Sequence, residues 1–473
     1  MKKTSLVISV FGLASALLVR PVYALDLWQA YELAQANDAT YQAASAQKIA
    51  TDEQKKQARA VLLPTVVAAG ALRSTRETFH NQDRVSETYP ASASVTLTQP
   101  LIQLDSLTAF KQVKSNINIG ELTLQAARQD LISRVVQAYC NALLTQKIAQ
   151  VSMDKQTTAE QQRKMAQRNF DVGNTTIIDV QEATAAYHRA EAEAITAKSN
   201  ADNALASLED MIGQPINEPL AALTASFKLK MPVPDSQAKW VERAQAENYN
   251  VRIAKLSLDI AKLEVTKRAQ ARLPKLDFVA SQTWKATQLN HDKDVKSRVT
   301  SVGLELSMPI FDGGLIGAQV REAEALATKS IQTVRSIQTQ VAQSTRSSYN
   351  QAVSGLKTIA ALEEAQKASA ASVRSNLIGY DLGMRINIDV LNAQQTDAQT
   401  KIDLAQAQYN TIIGNVNLKA AIGQLHDDDV RYINQFLESS PETLREQEVE
   451  SASLQQLNDP KSTSRTVVVK STQ

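Results

Sequence analysis

Cysteine and aromatic residues are scarce in this sequence of 473 residues. The one cysteine, Cys140, can form no internal disulfide, so the fold must be stabilised by packing. Phe, Trp and Tyr make up only 5% of the chain, which is low for a thick globular core. Alanine and glutamine instead fill tracts such as residues 125–150, and small side chains favour helices packed closely along their length. The composition therefore predicts an elongated, mostly helical protein.

Net charge is also nearly absent, because 51 basic and 49 acidic residues leave only +2. This balance argues against a nucleic-acid partner or a polybasic membrane patch. The four histidines are dispersed and show neither metal-ligand spacing nor a partner nucleophile. The glycine-rich DGGLIG at 312–317 lacks the dinucleotide or phosphate-loop pattern and is interpreted as a strand-to-helix turn. We therefore expect no enzymatic activity and no cofactor.

The only long apolar run lies at the start of the chain. Lys2 and Lys3 precede apolar residues 6–19, and a small residue, Ala24, ends the pattern that signal peptidase reads. Residues 1–24 are therefore interpreted as a cleaved signal peptide of an exported protein. A membrane anchor is the weaker alternative, because the run is short for a bilayer and Arg20 interrupts it.

One phrase occurs twice in the chain, 210 residues apart. FDVGNTTIIDV at 170–180 and YDLGMRINIDV at 380–390 share five of eleven positions. LEDMIGQ at 208–214 and LKAAIGQ at 418–424 have the same offset. Internal repeats imply duplicated architecture. We predict a signal peptide at residues 1–24 and a first repeat at 25–214. A proline-rich linker at 215–239 and a second repeat at 240–424 follow, and residues 425–473 form a C-terminal segment with a disordered tail.

Each repeat has the same predicted order of elements. A helix of moderate length precedes Pro64 or Pro274, and two strands of about ten residues follow, judged by period-two alternation. A helix of about 66 residues, roughly 100 Å long, comes next and ends before a glycine, Gly173 or Gly383. A second long helix completes a hairpin. The expected strands and long helices lie at 66–75, 93–101, 276–284, 302–310, 103–171, 177–212, 315–381 and 388–422.

The four strands leave two interpretations open. Alternating strands on an exported chain suit a membrane β-barrel, but an ordinary periplasmic sheet half-facing water would alternate too. A bilayer tolerates only closed barrels, and small ones have at least about eight strands. Either several chains share one barrel, or these strands never enter lipid.

The chain resembles the TolC-type outer-membrane factors in LSMPIFDGGLIGAQVREAEA at 306–325, in the paired tip phrases and in the LxxxIGQ ends. The resemblance extends over about residues 25–425. It implies a homotrimer whose twelve strands form a barrel in outer-membrane lipid and whose helices form a tunnel across the periplasm. Such channels are passive exit ducts for multidrug efflux or type I protein secretion. They are opened by a periplasmic adaptor protein together with an inner-membrane ABC exporter or a proton-driven antiporter.

The resemblance also implies roles for residues at the tips. Tyr380 and Arg385 match the positions that link the closed periplasmic gate, and Asp179 matches their acidic partner on the other hairpin. The alternative is that Arg385 and Asp179 are solvated charges near helix ends, with Asp179 favoured by the helix dipole. Ile178 replaces a hydroxyl residue of the family pattern, so a looser gate is expected.

A pore constriction and a docking surface complete the implied site. Asp389 matches a pore-facing position that forms a carboxylate ring, and Asn392 replaces the second acid of the family pattern, so a weaker cation trap is expected. Four residues at the tips are expected to dock the adaptor: Gly173, Asn174, Gly383 and Met384.

A coiled-coil adaptor is the rival interpretation of the whole chain, but an adaptor typically has one hairpin and a membrane anchor. The absence of a lipid-attachment cysteine favours the secretion branch.

Overall fold

A computed structural model describes residues 24–79, 84–224, 230–289 and 293–438. Nearly all of the predicted signal peptide and all of the predicted disordered tail, the last fifteen residues, lie outside the described residues. The described elements, in chain order, are α1 (Leu27–Asn37), α2 (Ala39–Ala60), β1 (Thr65–Leu72), β2 (Thr75–Phe79), β3 (Arg84–Ile102), α3 (Leu104–Asp171), α4 (Ile177–Ile212), β4 (Ala222–Leu223), α5 (Gln237–Glu247), α6 (Tyr249–Gln270), β5 (Lys275–Leu289), β6 (Lys293–Ser307), α7 (Leu315–Asp381), α8 (Asn387–Ala421), α9 (Asp427–Asn434) and β7 (Leu437–Glu438).

The prediction of a mostly helical chain with a small β part is confirmed. The long helices α3 and α7 end at the predicted residues, Asp171 and Asp381. Gly173 and Gly383 follow with φ of 79° and 72°, the left-handed conformation that closes a helix end. Few residues other than glycine adopt this conformation without strain, which is why the sequence predicts these ends so well.

The first helix of each half is broken in two, and the prediction of one continuous helix was wrong. The breaks fall at Asp38 and Asn248, whose side chains accept hydrogen bonds from backbone N–H groups of the next helix. Such capping competes with the helical backbone pattern and starts a new helix. Asp38 also forms an ion pair with Arg134 on α3, 2.7 Å between Nη1 and Oδ2, which ties the break to the long helix. This ion pair is the largest cause of the lowered pKa of Asp38.

The strands also differ from the prediction in two places. The first predicted strand is divided into β1 and β2, and opposite the break lies Pro90 of β3, which has no N–H for the ladder. The Pro90 carbonyl accepts a hydrogen bond from Arg73 N at 3.0 Å. Strand β6 ends at Ser307 rather than 310, two residues before Pro309. Strands β3, β5 and β6 otherwise extend well beyond the predicted ten residues.

Both halves contribute to one antiparallel sheet with the order β1-β3-β5-β6, and β2 pairs with β3. The register places Leu97, Ala280 and Val302 side by side on one face of the sheet. Thr96, Ser281 and Ser301 lie together on the opposite face. The sheet therefore has a mainly apolar face and a mainly polar face.

The long helices form two antiparallel hairpins, α3 with α4 and α7 with α8, and α3 also packs against α8. The largest core cluster lies near the middle of α3, where α1, α4, α8 and α9 meet it. Tyr139 is fully buried there, and its hydroxyl donates towards the carbonyls of Leu25 and Ala221 at 2.8 and 3.0 Å. This cluster joins α4 and α8 to the middle of α3, and the two tips project beyond it.

The helices in the described part of the chain include no segment with both the length and the hydropathy of a transmembrane helix.

Candidate functional site

The two hairpin tips are residues 169–180, called tip 1, and residues 379–390, called tip 2. In tip 1, Gly173 N donates to the Phe170 carbonyl at 2.9 Å, and Asn174 N donates to the Asn169 carbonyl at 2.8 Å. In tip 2, Gly383 N donates to the Tyr380 carbonyl at 3.0 Å. The backbone thus closes both long helices in the same way.

Side chains cap the start of α4 in tip 1. Asp179 Oδ2 accepts hydrogen bonds from the backbone N–H and the hydroxyl of Thr176, at 3.2 and 3.1 Å, and from the hydroxyl of Thr175. The hydrogen bond from Thr175, reinforced by those from Thr176, lowers the pKa of the Asp179 carboxyl. An acid in the first turn is favoured by the helix dipole as well. Asp179 therefore has a local capping function in the single chain.

No comparable side-chain cap supports the start of α8 in tip 2. The residue at the cap position is Ile386, which has no hydrogen-bonding side chain. Gly379 instead accepts two backbone hydrogen bonds, from Met384 N at 2.8 Å and from Arg385 N at 3.1 Å. The first turn of α8 consequently depends on backbone contacts and on neighbouring charges.

Arg385 and Asp389 form an ion pair across the start of α8. The distance between Arg385 Nη1 and Asp389 Oδ2 is 3.7 Å, and the side chains are 59% and 35% exposed. An exposed pair of this kind contributes about 0–1 kcal/mol. Among the ion pairs of the described residues, none joins Arg385 to Asp179 within one chain.

Tyr380 is the predicted gate residue that does reach the other tip. Its hydroxyl accepts a hydrogen bond from Asn169 Nδ2 at 3.4 Å, so it contacts the end of α3 rather than Asp179. Sequence reasoning missed Asn169. The signal that could have found it is a difference between the repeats, because tip 1 has the polar residue Asn169 where tip 2 has Gly379, at the offset of 210 residues.

The outer surface of both tips is apolar and exposed. Met384 is 72% exposed in tip 2, and its neighbours Leu382 and Ile386 are 65% and 62% exposed. Val172 and Ile178 in tip 1 are 69% and 63% exposed. Gly173, Asn174 and Gly383 lie among these residues and are also exposed. Contiguous exposed apolar residues mark interaction surfaces.

A buried amide distinguishes tip 2 further. Asn387 is only 1% exposed, and neither its Oδ1 nor its Nδ2 has a hydrogen-bond partner. The aligned residue in tip 1 is Ile177, which is 50% exposed. A buried polar group without partners is destabilising, by about 1–3 kcal/mol. Tip 2 is thus the less completely satisfied of the two tips.

Comparisons with known proteins agree with this architecture. The chain is 28% identical over 422 residues to the outer membrane protein TolC of Escherichia coli, covering 87% of this chain and 85% of that protein. It is 28% identical over 432 residues to the alkaline protease secretion protein AprF of Pseudomonas aeruginosa, covering 89% of both.

Solved outer-membrane channels share the fold. The CmeC channel of Campylobacter jejuni superposes with a TM-score of 0.75 at 16% identity, covering 93% of this chain and 98% of that one. The open state of the MtrE channel of Neisseria gonorrhoeae gives 0.70 at 19% identity, covering 86% and 92%. The family model described as outer membrane efflux protein matches residues 30–214 and 240–424. The chain therefore belongs to the outer membrane efflux protein family, the TolC-type channels.

Proposed function

We propose that three copies of this chain form a passive exit duct for type I protein secretion, multidrug efflux or both. The duct consists of a twelve-stranded barrel in the outer membrane and an α-helical tunnel in the periplasm. A coiled-coil adaptor, the rival interpretation, is not supported, because the family and the matching relatives are outer-membrane proteins. The observation that carries the proposal is the open sheet of a single chain.

Both edges of this sheet are available for pairing. Within the described residues, β1 pairs only with β3 and β6 only with β5. Because every pairing in the order β1-β3-β5-β6 is antiparallel, β6 of one copy placed beside β1 of the next would also be antiparallel. Four-stranded units can therefore close a ring without a mismatch, and three of them give the number of strands that the family resemblance implies.

The faces of the sheet suit a barrel wall. Leu304 and Leu306 on the apolar face are 64% and 71% exposed in the single chain. Phe278 and Leu276 of β5 are paired directly with them. An apolar face this exposed requires lipid or another protein, whereas the polar face can line a water-filled lumen.

Among the described helices, α4 has an exposed face where α8, its counterpart in the second repeat, is covered. Within the chain α8 packs against α3, and Tyr409 and Val416 of α8 are buried. The aligned residues of α4, Ser199 and Ala206, are also seven residues apart but are exposed in the single chain. Residues at this spacing lie on one face of a helix and can pack against a neighbouring helix. The repeat supports α7 of a neighbouring copy as the partner of α4.

In the assembled tunnel, Arg385 and Tyr380 of tip 2 would link to Asp179 of a neighbouring hairpin and close the periplasmic end. Three copies of an exposed link hold the closed state by at most about 3 kcal/mol in total. A docking partner can overcome this amount by binding the open state more tightly. Asp389 would form the pore ring, and Gly173, Asn174, Gly383 and Met384 would contact the adaptor.

Single-channel recording in planar bilayers tests the duct. We expect purified protein to form uniform, mostly closed cation-preferring pores, and Arg385→Ala or Asp179→Ala to open them. The matched control is Arg374→Ala, which removes an exposed charge on α7 away from the tip. Absence of any channel from wild type and variants alike would refute the proposal.

Crosslinking in cells from Asn174 and Met384 tests the partners. Recovery of an ABC exporter with its adaptor indicates type I secretion, whereas recovery of a proton-driven antiporter indicates efflux. Recovery of both indicates a shared duct. Crosslinks from an exposed position far from the tips, such as Leu326, serve as the control.

A further inference from the structure

Gly379 provides the space that Arg385 occupies. It lies buried in the last turn of α7. A Cβ built on Gly379 would lie 2.8 Å from Arg385 Cγ and 3.5 Å from Arg385 Cβ. Carbon atoms pack at about 3.5–4.0 Å, so any side chain at residue 379 would displace Arg385.

The displaced atom is near the root of the arginine side chain. A shift at Cγ requires a different rotamer, and the guanidinium at the far end then moves by much more than the clash itself. In the present rotamer the guanidinium lies 3.7 Å from Asp389. The backbone of Arg385 is fixed at the same place, because its N–H donates to the Gly379 carbonyl at 3.1 Å.

The repeat provides an internal comparison. Tip 1 has Asn169 where tip 2 has Gly379, and Thr175 where tip 2 has Arg385. A side chain is therefore present at this place in the tip that has no long arginine to accommodate. Gly379 is not required by its backbone conformation, since it lies within α7 and its φ is not positive.

We propose that Gly379 is a positioning residue of the gate. By lacking a Cβ it allows Arg385 to lie across the end of α7 and so sets the direction of the guanidinium. This inference rests on the proposed function, in which Arg385 holds the tunnel closed. It predicts that any side chain at residue 379 opens the gate through Arg385 alone.

A double-mutant cycle with Gly379→Ala and Arg385→Ala tests this role in the full-length protein in planar bilayers. We expect Gly379→Ala to shift the closed-to-open equilibrium as far as Arg385→Ala does, by up to about 100-fold, and to add nothing when Arg385 is already alanine. Ser375→Ala is the matched control, because it also improves helix propensity one turn earlier in α7 without approaching Arg385.

Two results would overturn the proposal. One is a Gly379→Ala channel that stays as closed as wild type, which a merely structural glycine predicts. The other is an opening effect that persists in full when Arg385 is alanine. If Gly379→Ala alone does not assemble, recovery of assembly by Arg385→Ala supports the proposal, and no recovery overturns it. An Arg385→Ala channel that stays closed would refute both this inference and the proposed gate, whereas pores absent from all variants would refute the duct itself.

Discussion

Tip 1 and tip 2 share a phrase and a backbone closure but differ in what holds the following helix. In tip 1, Thr175, Thr176 and Asp179 satisfy the start of α4 with side-chain hydrogen bonds. In tip 2, Ile386 offers none, and Asn387 is buried without partners. Duplication has thus produced one internally satisfied tip and one weakly held tip. Elements that move are drawn from the less stable parts of a structure, so tip 2 is the expected moving part.

The largest expected effect comes from removing the positive charge of Arg385 in tip 2, which has no counterpart in tip 1. Arg385→Ala should shift the closed-to-open equilibrium by up to about 100-fold, because the three proposed links of about 0–1 kcal/mol each are lost. Open probability in planar bilayers measures this shift. Thr175→Ala, at the aligned position of tip 1, should change it far less. A larger opening by Thr175→Ala would reverse the assignment of the moving tip.

The second effect concerns the proposed pore ring. Asp389→Asn should weaken block by a trivalent cation by about tenfold or more, because the three symmetric carboxylates of the proposed trimer lose their charge. Asn392→Asp should strengthen the block, since it adds a second ring one turn further along α8. Titration of the block of single-channel current gives both values. Equal block in wild type and Asp389→Asn would show that Asp389 does not face the pore.

The third effect is an acid sensitivity of tip 1. The pKa of Asp179 is lowered in the folded protein, so its capping contribution is complete above the ordinary value of 3.8 and is lost as the pH falls through the folded pKa. Hydrogen exchange at residues 175–180 should therefore lose protection under acid by more than tip 2 does. Asp179→Asn should remove most of this dependence. Equal acid sensitivity at both tips would contradict the capping function.

The smallest expected effect comes from a substitution that makes the helix cap of tip 2 resemble that of tip 1. Ile386→Thr introduces a side-chain acceptor at the cap of α8 and should stabilise its first turn by about 0.5–1 kcal/mol. Slower amide exchange at residues 387–390 measures this gain. Ile386→Val retains a branched side chain without an acceptor and serves as the control. If both variants protect equally, packing rather than capping governs the tip.

The sequence alone predicts the two tips and the helix ends that form them, but not the side-chain contacts that make the tips differ. Glycine at a helix end leaves a strong signal, so the ends of α3 and α7 could be predicted to the residue. Asp38 and Asn248 break helices whose apolar spacing continues across the break, so only their hydrogen bonds reveal them. The function of Gly379 depends on a neighbour six residues away and becomes visible only when the rotamer of Arg385 is known.

The mid-length core has a consequence for the order in which the chain folds. Asn434 on α9 accepts a hydrogen bond from the backbone N–H of Trp28 in α1 and donates one to Asp26, which precedes α1, at 3.2 Å each. Arg431 lies over the Trp28 ring. These contacts join residues about 400 positions apart, so they form only after nearly the whole chain has been exported. Until then part of the surface of α1 stays uncovered, so the first exported helix is completed only late and is open to misassembly in the meantime.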